Sequence, residues 1–230
     1  MPKTVAIIPL RGCDEEAQPD AVLGGKPVLV HSIEAARAAR CIDRVIVSTD
    51  SPVVAALARR SGAEAPFLRP AHLAAPNVPL SDVLQHSLAW LDQHETEPVE
   101  IIVVLESTHP IRPPGLIDQV VEVLRQERLD TVFAARQEPH RFWRMEDGAV
   151  SQIQQEEQDR PRSQARPLYK ELAGMATAVR ADVIRRGERM GVRVGLVPIH
   201  SYATAVDLHD EDGWWLARQL LDREGSSRAL

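Results

Sequence analysis

The sequence is short of cysteine, short of aromatic residues and without a long apolar run, and each shortage removes a class of function. Two cysteines among 230 residues, Cys13 and Cys41, make neither a disulfide framework nor a metal-binding spacing. They read as reduced thiols. Aromatic residues are 4% of the chain, too few for the stacking platforms that hold single-stranded nucleic acid. Positive charge is in deficit: 27 Lys and Arg against 33 Asp and Glu leave a net charge of −6. Such a surface has no general attraction for nucleic acid or an anionic membrane. No stretch approaches the ~20 apolar residues that span a bilayer. The opening MPKTVAIIPLRG has one lysine and an apolar run that ends at once in a turn, so it predicts no secretory leader. The expectation is a soluble, cytoplasmic protein with no nucleic-acid or membrane partner.

What is present suits a single α/β domain over residues 1–230, with 44% hydrophobic and 26% charged residues. Short apolar runs predict strands at 4–10 (TVAIIPL), 44–50 (RVIVSTD), 100–107 (EIIVVLES) and 131–137 (TVFAARQ). Helical spacing predicts helices at 27–40, 51–62, 81–94, 114–130 and 212–222, with Pro27 and Pro52 in first turns and Ser81-Asp82 as cap candidates. Strands separated by helices imply a three-layer, mostly parallel sheet. After residue 137 the pattern changes. Residues 140–153 read as a hairpin turning on Asp147-Gly148, 154–167 as a polar loop or arm, and 171–180 and 192–200 as strands.

Several stretches together resemble the sugar-acid cytidylyltransferases, the family of the CMP-sialic acid and CMP-KDO synthetases. They are VAIIPLRG, LGGKPVLVHSIEAARAARCIDRVIVSTDS, AEAPFLRPAHLA, LESTHPIR and VDLHDEDGWWLA, spread from residue 5 to 217. The resemblance implies a Rossmann-like nucleotidyltransferase sheet, a small dimerisation arm at 138–170 and a homodimer. It implies transfer of CMP from CTP to a 2-keto sugar acid, with release of pyrophosphate and with Mg²⁺ neutralising phosphate charge. In that chemistry the protein mainly positions groups and balances charge.

Carried over residue by residue, the resemblance places Leu10, Arg11 and Gly12 in the phosphate loop and Arg69 and Thr108 at the nucleotide. Arg69 could equally pair with a nearby carboxylate and hold the loop, and Asp50 reads as a cap for the helix near Ser51. The resemblance places Glu106, Arg112, Arg162 and Lys170 at the acceptor, and Asp207 and His209 at the metal. Arg11 and Asp207 would carry catalysis. A polar arm on the surface is the other reading of Arg162 and Lys170.

The departures are specific. Glu106 stands where relatives have a glutamine that contacts the acceptor, and a carboxylate only accepts hydrogen bonds. His109 replaces a small serine. His209 occupies the second position of an Asp-x-Asp metal element, although Mg²⁺ prefers oxygen ligands. Asp210, Glu211 and Asp212 could compensate or could serve the final helix. The opening loop carries Asp14, Glu15 and Glu16 where relatives place a serine and lysines. Two accounts fit: a divergent but active nucleotidyltransferase, or a non-catalytic homologue that binds a nucleotide or sugar or serves as a partner subunit. A glycosyltransferase-like domain shares the architecture, but its Asp-x-Asp pair is expected mid-chain, where none occurs.

Overall fold

The first strand, β1 (Lys3–Pro9), is apolar from Val5 to Pro9 because it lies inside a sheet covered on both sides. Val5, Ala6, Ile7 and Ile8 have no solvent exposure. The computed structural model describes residues 2–12, 21–138, 142–153, 167–201 and 206–227, with side chains to residue 221. Along the chain follow a two-strand turn, β2 (Val22–Leu23) and β3 (Lys26–Pro27), then α1 (Val28–Ala38), β4 (Arg44–Ser48) and α2 (Pro52–Arg60). Next come α3 (Leu80–His94), β5 (Val99–Val104), α4 (Leu116–Gln126) and β6 (Thr131–Glu138). The chain closes with β7 (Trp143–Glu146), β8 (Ala149–Gln152), β9 (Leu168–Glu171), β10 (Thr177–Arg180), α5 (Ala181–Arg185), β11 (Val194–Ile199) and α6 (Glu211–Ser227).

Among the described residues the central sheet runs β11-β6-β10-β5-β1-β4, with β9 added against β6. β1 is parallel to β4 and β5, and β6 is parallel to β11. The two-residue period of a strand sorts its side chains into two cores. Ala6, Ile8, Ile101 and Val103 pack against α1 and α4 through Leu29, Ile33, Val120 and Leu124. Val5, Ile7, Ile102 and Val104 pack on the other face against Leu84 and Leu88 of α3 and Val183 and Ile184 of α5. Each fully buried Ile or Leu contributes ~1.5–3 kcal/mol, so these two layers fix the register of β1 and β5. A smaller cluster of Leu23, Val28, Val206, Leu208 and Ala217 seats α6, with Trp214 packed on it and Trp215 exposed.

The three-layer, mostly parallel sheet matches the sequence expectation, and four details correct it. Residues 171–180 are not one strand. β9 and β10 are separated by a turn at 172–176, and both are antiparallel to β6. β10 also pairs antiparallel with β5, so it reverses direction between two strands that point the same way. The short α5 and the β2–β3 turn, in which Gly24 and Gly25 take φ of +56° and +81°, carry too few residues to show a period. Helix caps also differ from expectation. Ser51, not Asp50, caps α2, its Oγ accepting from Val54 N at 3.3 Å. Helix α3 follows Pro79 with no side-chain cap, and Ser81 Oγ donates to Asp82 Oδ1 at 3.2 Å instead.

The β7–β8 hairpin forms as expected, turning on Asp147 (φ +49°) and Gly148 (φ +79°). It makes its own two-stranded sheet. Cross-strand pairing puts Trp143, Met145 and Val150 on one exposed face, and Arg144 and Glu146, an ion pair at 3.5 Å, on the other.

Candidate functional site

Open α/β sheets bind ligands beyond the carboxyl ends of their strands, where the strand order reverses. Here that place lies between β1 and β5. The chain proceeds from β1 to β4 on one side and then returns to β5 on the other. A cleft of about 250 Å³ opens there, and Leu10, Arg11, Arg69, Glu106, Thr108 and His209 all line it.

The β1 side is built on backbone hydrogen bonds. Leu10 N donates to Ser48 O at 3.0 Å, which locks the end of β1 to the end of β4. The buried Arg69 ties the same two ends together: its Nη2 donates to Leu10 O at 2.9 Å and to Ser48 O at 2.7 Å. Its backbone N donates to Thr49 O at 2.8 Å. Of the two sequence readings of Arg69, loop-holding is thus seen directly, and the same guanidinium adds fixed positive charge to the cleft wall. Gly12 N donates to Asp50 Oδ1 at 2.9 Å, so Asp50 holds the start of the opening loop. A Cβ at Gly12 would lie 2.4 Å from Ser51 Cβ, which makes glycine a steric requirement there. Cys13, Asp14, Glu15 and Glu16 lie outside the described residues, as does Arg162.

The β5 side carries the titratable groups. Glu106 N donates to Gly174 O at 2.7 Å, and Glu106 O accepts from Ser32 Oγ at 3.1 Å and from Arg112 Nη2 at 2.6 Å. Burial pushes the Glu106 carboxyl above the usual carboxylate range, while His209 and Arg189 pull the other way. His109 is buried and its Nδ1 lies 3.2 Å from Thr108 Oγ1. Burial pushes its imidazole down to about 4; Asp207 opposes that shift and Arg112 adds to it. Thr108 O accepts from Leu208 N at 2.9 Å, and the fully buried Leu208 plugs the core beneath. The alternation of Asp207-Leu208-His209 then leaves its two polar members partly exposed, with His209 Nδ1 hydrogen-bonded to Asp207 Oδ1.

Two expected acceptor residues sit elsewhere. Arg112 does not line the cleft. Its guanidinium is committed to the protein, with Nε to Met175 O at 2.6 Å, Nη1 to Ser32 Oγ at 2.9 Å, and Nη2 to Glu106 O and to Gly174 O at 3.0 Å. It clamps the 172–176 turn against α1 and β5. Lys170 lies on β9, exposed and paired in register with Arg136, outside the cleft but near enough to His109 to lower that group's pKa. The sequence reading missed Gly174 as a shaping residue, and no local signal marks it. A Cβ there would lie 2.7 Å from both Glu106 Oε2 and His109 Nδ1.

Among the described residues no group of three or more His, Cys, Asp or Glu side chains is placed to hold a metal ion. Asp210 does not extend the set: its Oδ1 accepts from Gly213 N at 2.7 Å, the bond of a helix N-terminus. Mg²⁺ commonly takes one or two carboxylates, substrate phosphates and water, so the partly exposed Asp207 fits the protein's share of such a site. His209 orients that carboxylate rather than supplying a hard oxygen.

Residues 21–209 match the family described as Cytidylyltransferase. The chain is 32% identical over 125 residues to the CMP-N,N'-diacetyllegionaminic acid synthase of Legionella pneumophila, covering 53% of each chain. It is 35% identical over 122 residues to the 3-deoxy-manno-octulosonate cytidylyltransferase of Serratia proteamaculans, covering 52% of this chain and 45% of that one. The matches thus span about half the length of these curated relatives. A CMP:2-keto-3-deoxy-manno-octonic acid synthetase solved with CTP superposes with a TM-score of 0.71 at 17% identity, over 96% of this chain and 99% of the other. A 4-diphosphocytidyl-2C-methyl-D-erythritol synthase superposes with a TM-score of 0.72 at 15% identity, over 96% and 99%. At such identities these likenesses show the fold.

Proposed function

Because the chain belongs to the cytidylyltransferase family, we propose that it transfers CMP from CTP to an acidic sugar of the 2-keto acid class and releases pyrophosphate. The observation that carries this reading is the convergence of Arg11, Arg69 and Thr108 on one cleft at the carboxyl edge of the sheet, with Asp207 beside it. In the reaction a hydroxyl oxygen of the sugar acid bonds to the α-phosphorus and gives up its proton to solvent, the bond to the bridging oxygen breaks, and pyrophosphate leaves with the electron pair. Arg11 and the fixed guanidinium of Arg69 attract the triphosphate; at an effective dielectric near 20 a unit charge pair 4 Å apart gains about 4 kcal/mol. Asp207 would hold Mg²⁺ against the phosphates, and the ion supplies charge neutralisation when bound. For Lys170 and Arg162 a role at the acceptor carboxylate rests on the family resemblance alone, since Lys170 lies on β9 outside the cleft. Arg112 acts indirectly by fixing the backbone beneath Glu106.

One observation favours the second reading, a non-catalytic nucleotide-binding homologue: at the second metal position stands an imidazole already bonded to Asp207. A pyrophosphate-release assay with CTP and a panel of keto sugar acids, with and without Mg²⁺, separates the two. Release that needs Mg²⁺ and is lost in Asp207→Ala supports transfer. Absence of release together with absence of a CTP-induced rise in melting temperature overturns it.

The reading includes a homodimer through the hairpin arm. A two-stranded ribbon alone is marginal in water, yet this one exposes Trp143, Met145 and Val150 on a single face. A second copy would cover that face. Trp143→Glu with Met145→Glu is expected to turn a dimer into a monomer by light scattering; an unchanged mass rejects the arm as the interface. No helix among the described residues is long and apolar enough to cross a membrane, and the reading places the protein with CTP in the cytoplasm.

A further inference from the structure

His86, on α3, takes no part in the phosphate chemistry of the cleft, yet it stands behind one of its walls. The side chain is half-buried, and its Nδ1 is sealed from water without a hydrogen-bond partner. The ring packs edge-on against Phe67, with centroids 4.8 Å apart at 82°, and Phe67 rests in turn on Trp90. Phe67, Trp90 and Leu80 all pack on the core layer between the sheet and α3. The segment that Phe67 anchors forms a wall of the cleft: Arg69 and Leu73 line it, with Leu80 and Val83 of α3 beside them. That segment is also tied to itself. Arg69 Nη1 donates to Leu73 O at 3.4 Å, and Leu73 N donates to Pro70 O at 2.9 Å.

We propose that His86 is a positioning residue for the nucleotide: as a neutral ring it props the 67–73 segment against the cleft, and on protonation it releases that segment. This deepens the cytidylyl-transfer reading and rests on it. The neutral tautomer with its hydrogen on Nε2 leaves Nδ1 bare, which suits the sealed position. A second proton would put an N–H and a charge where no acceptor waits. Burial, Arg69 and His72 all push the His86 pKa below 6.5, and both of those groups ride on the propped segment. On α3 itself Asp82 lies one turn back, its Oδ1 hydrogen-bonded to Ser81 Oγ at 3.2 Å. The neighbouring α5 offers charges that are already paired, Arg185 with Asp92 at 2.7 Å and Arg186 with Asp182 at 3.1 Å. β1 and β5 turn apolar side chains toward α3. The repulsion on charging His86 therefore falls on the wall, and the opened segment takes up the proton more readily than the closed one.

The test reads the segment first without a ligand. Hydrogen exchange of residues 66–74, corrected for the intrinsic effect of pH, compares pH 7.5 with pH 5.5. One unit below the ordinary imidazole value of 6.5, opening should increase by up to about tenfold in wild type. His86→Phe, which keeps a flat ring and cannot titrate, should change by less than about twofold. Phe67→Leu, without the ring that His86 packs on, should open more at pH 7.5 and show a smaller change between the two pH values. Calorimetric titration with CTP then compares the same two pH values. Wild type should lose about threefold more affinity on acidification than His86→Phe, the ionisation of CTP being common to both. Melting curves show that the variants fold. Equal pH ratios in wild type and His86→Phe, in exchange or in CTP affinity, overturn the role of His86. That result with CTP still bound leaves the transfer reading standing. No CTP binding by wild type at either pH overturns the transfer reading itself, and the nucleotide role of His86 with it.

Discussion

Replacing Arg112 by alanine tests whether the site is held from behind. Its guanidinium makes four hydrogen bonds, to Met175 O, Ser32 Oγ, Glu106 O and Gly174 O. A hydrogen bond to a charged group contributes ~1.5–3 kcal/mol, but the sum overstates the loss. Glu106 O keeps Ser32 Oγ, and Gly174 O keeps Glu106 N, so among the described residues only Met175 O is left with no partner. One orphaned acceptor plus the emptied space puts the expected destabilisation of Arg112→Ala at about 3–5 kcal/mol. For a chain of this size that is a fall in melting temperature of about 10 °C. The assay is urea denaturation at constant pH, in which the midpoint should drop while the slope stays unchanged. Arg112→Lys, one ammonium in place of a planar fork, should recover about half of the loss. A loss below about 1 kcal/mol for the alanine variant, with a raised KM for the acid, would refute the clamp and return Arg112 to the substrate.

Two further outcomes follow from the same geometry. A Cβ at Gly213 would sit 1.8 Å from Asp207 O, so Gly213→Ala must push α6 away from the Asp207-Leu208-His209 turn; the melting temperature should fall by about 5–10 °C, and an unchanged value would reject the packing. His109 has a folded-state pKa of about 4, below the unfolded 6.5, so the unfolded chain takes up the proton first as pH falls. The stability contributed by its neutral form is complete above pH 6.5 and is lost on acidification toward pH 4. A pH series of melting temperatures should flatten over that window in His109→Gln, and parallel curves would contradict the buried neutral imidazole.

The residues that read easily are those whose partners are close in sequence or whose burial is repetitive. TVAIIPL announces a strand covered on both faces because its run from Val5 to Leu10 is apolar without a break. Asp147-Gly148 announces a hairpin because the turn itself needs two residues at positive φ. The resemblance offers Arg11, Thr108 and Asp207 as site residues, and the structure brings Arg11, Arg69, Glu106, Thr108 and His209 to one cleft with Asp207 hydrogen-bonded to His209. Arg112 was not legible as a clamp. Its acceptors on Ser32 and Met175 lie 80 and 63 residues away, and nothing in LESTHPIR reports where they will be.

By itself, then, the order of residues determined the layers, the element types and the family, because apolar periodicity and turn chemistry act over a few residues. Only the tertiary structure decided which arginines face the cleft and which are consumed in holding it. It also reversed β10 between β5 and β6, and it tied the ends of β1 and β4 together through Arg69. Those outcomes depend on hydrogen bonds and desolvation among segments that meet only after the sheet has closed around β1, so no local pattern could encode them.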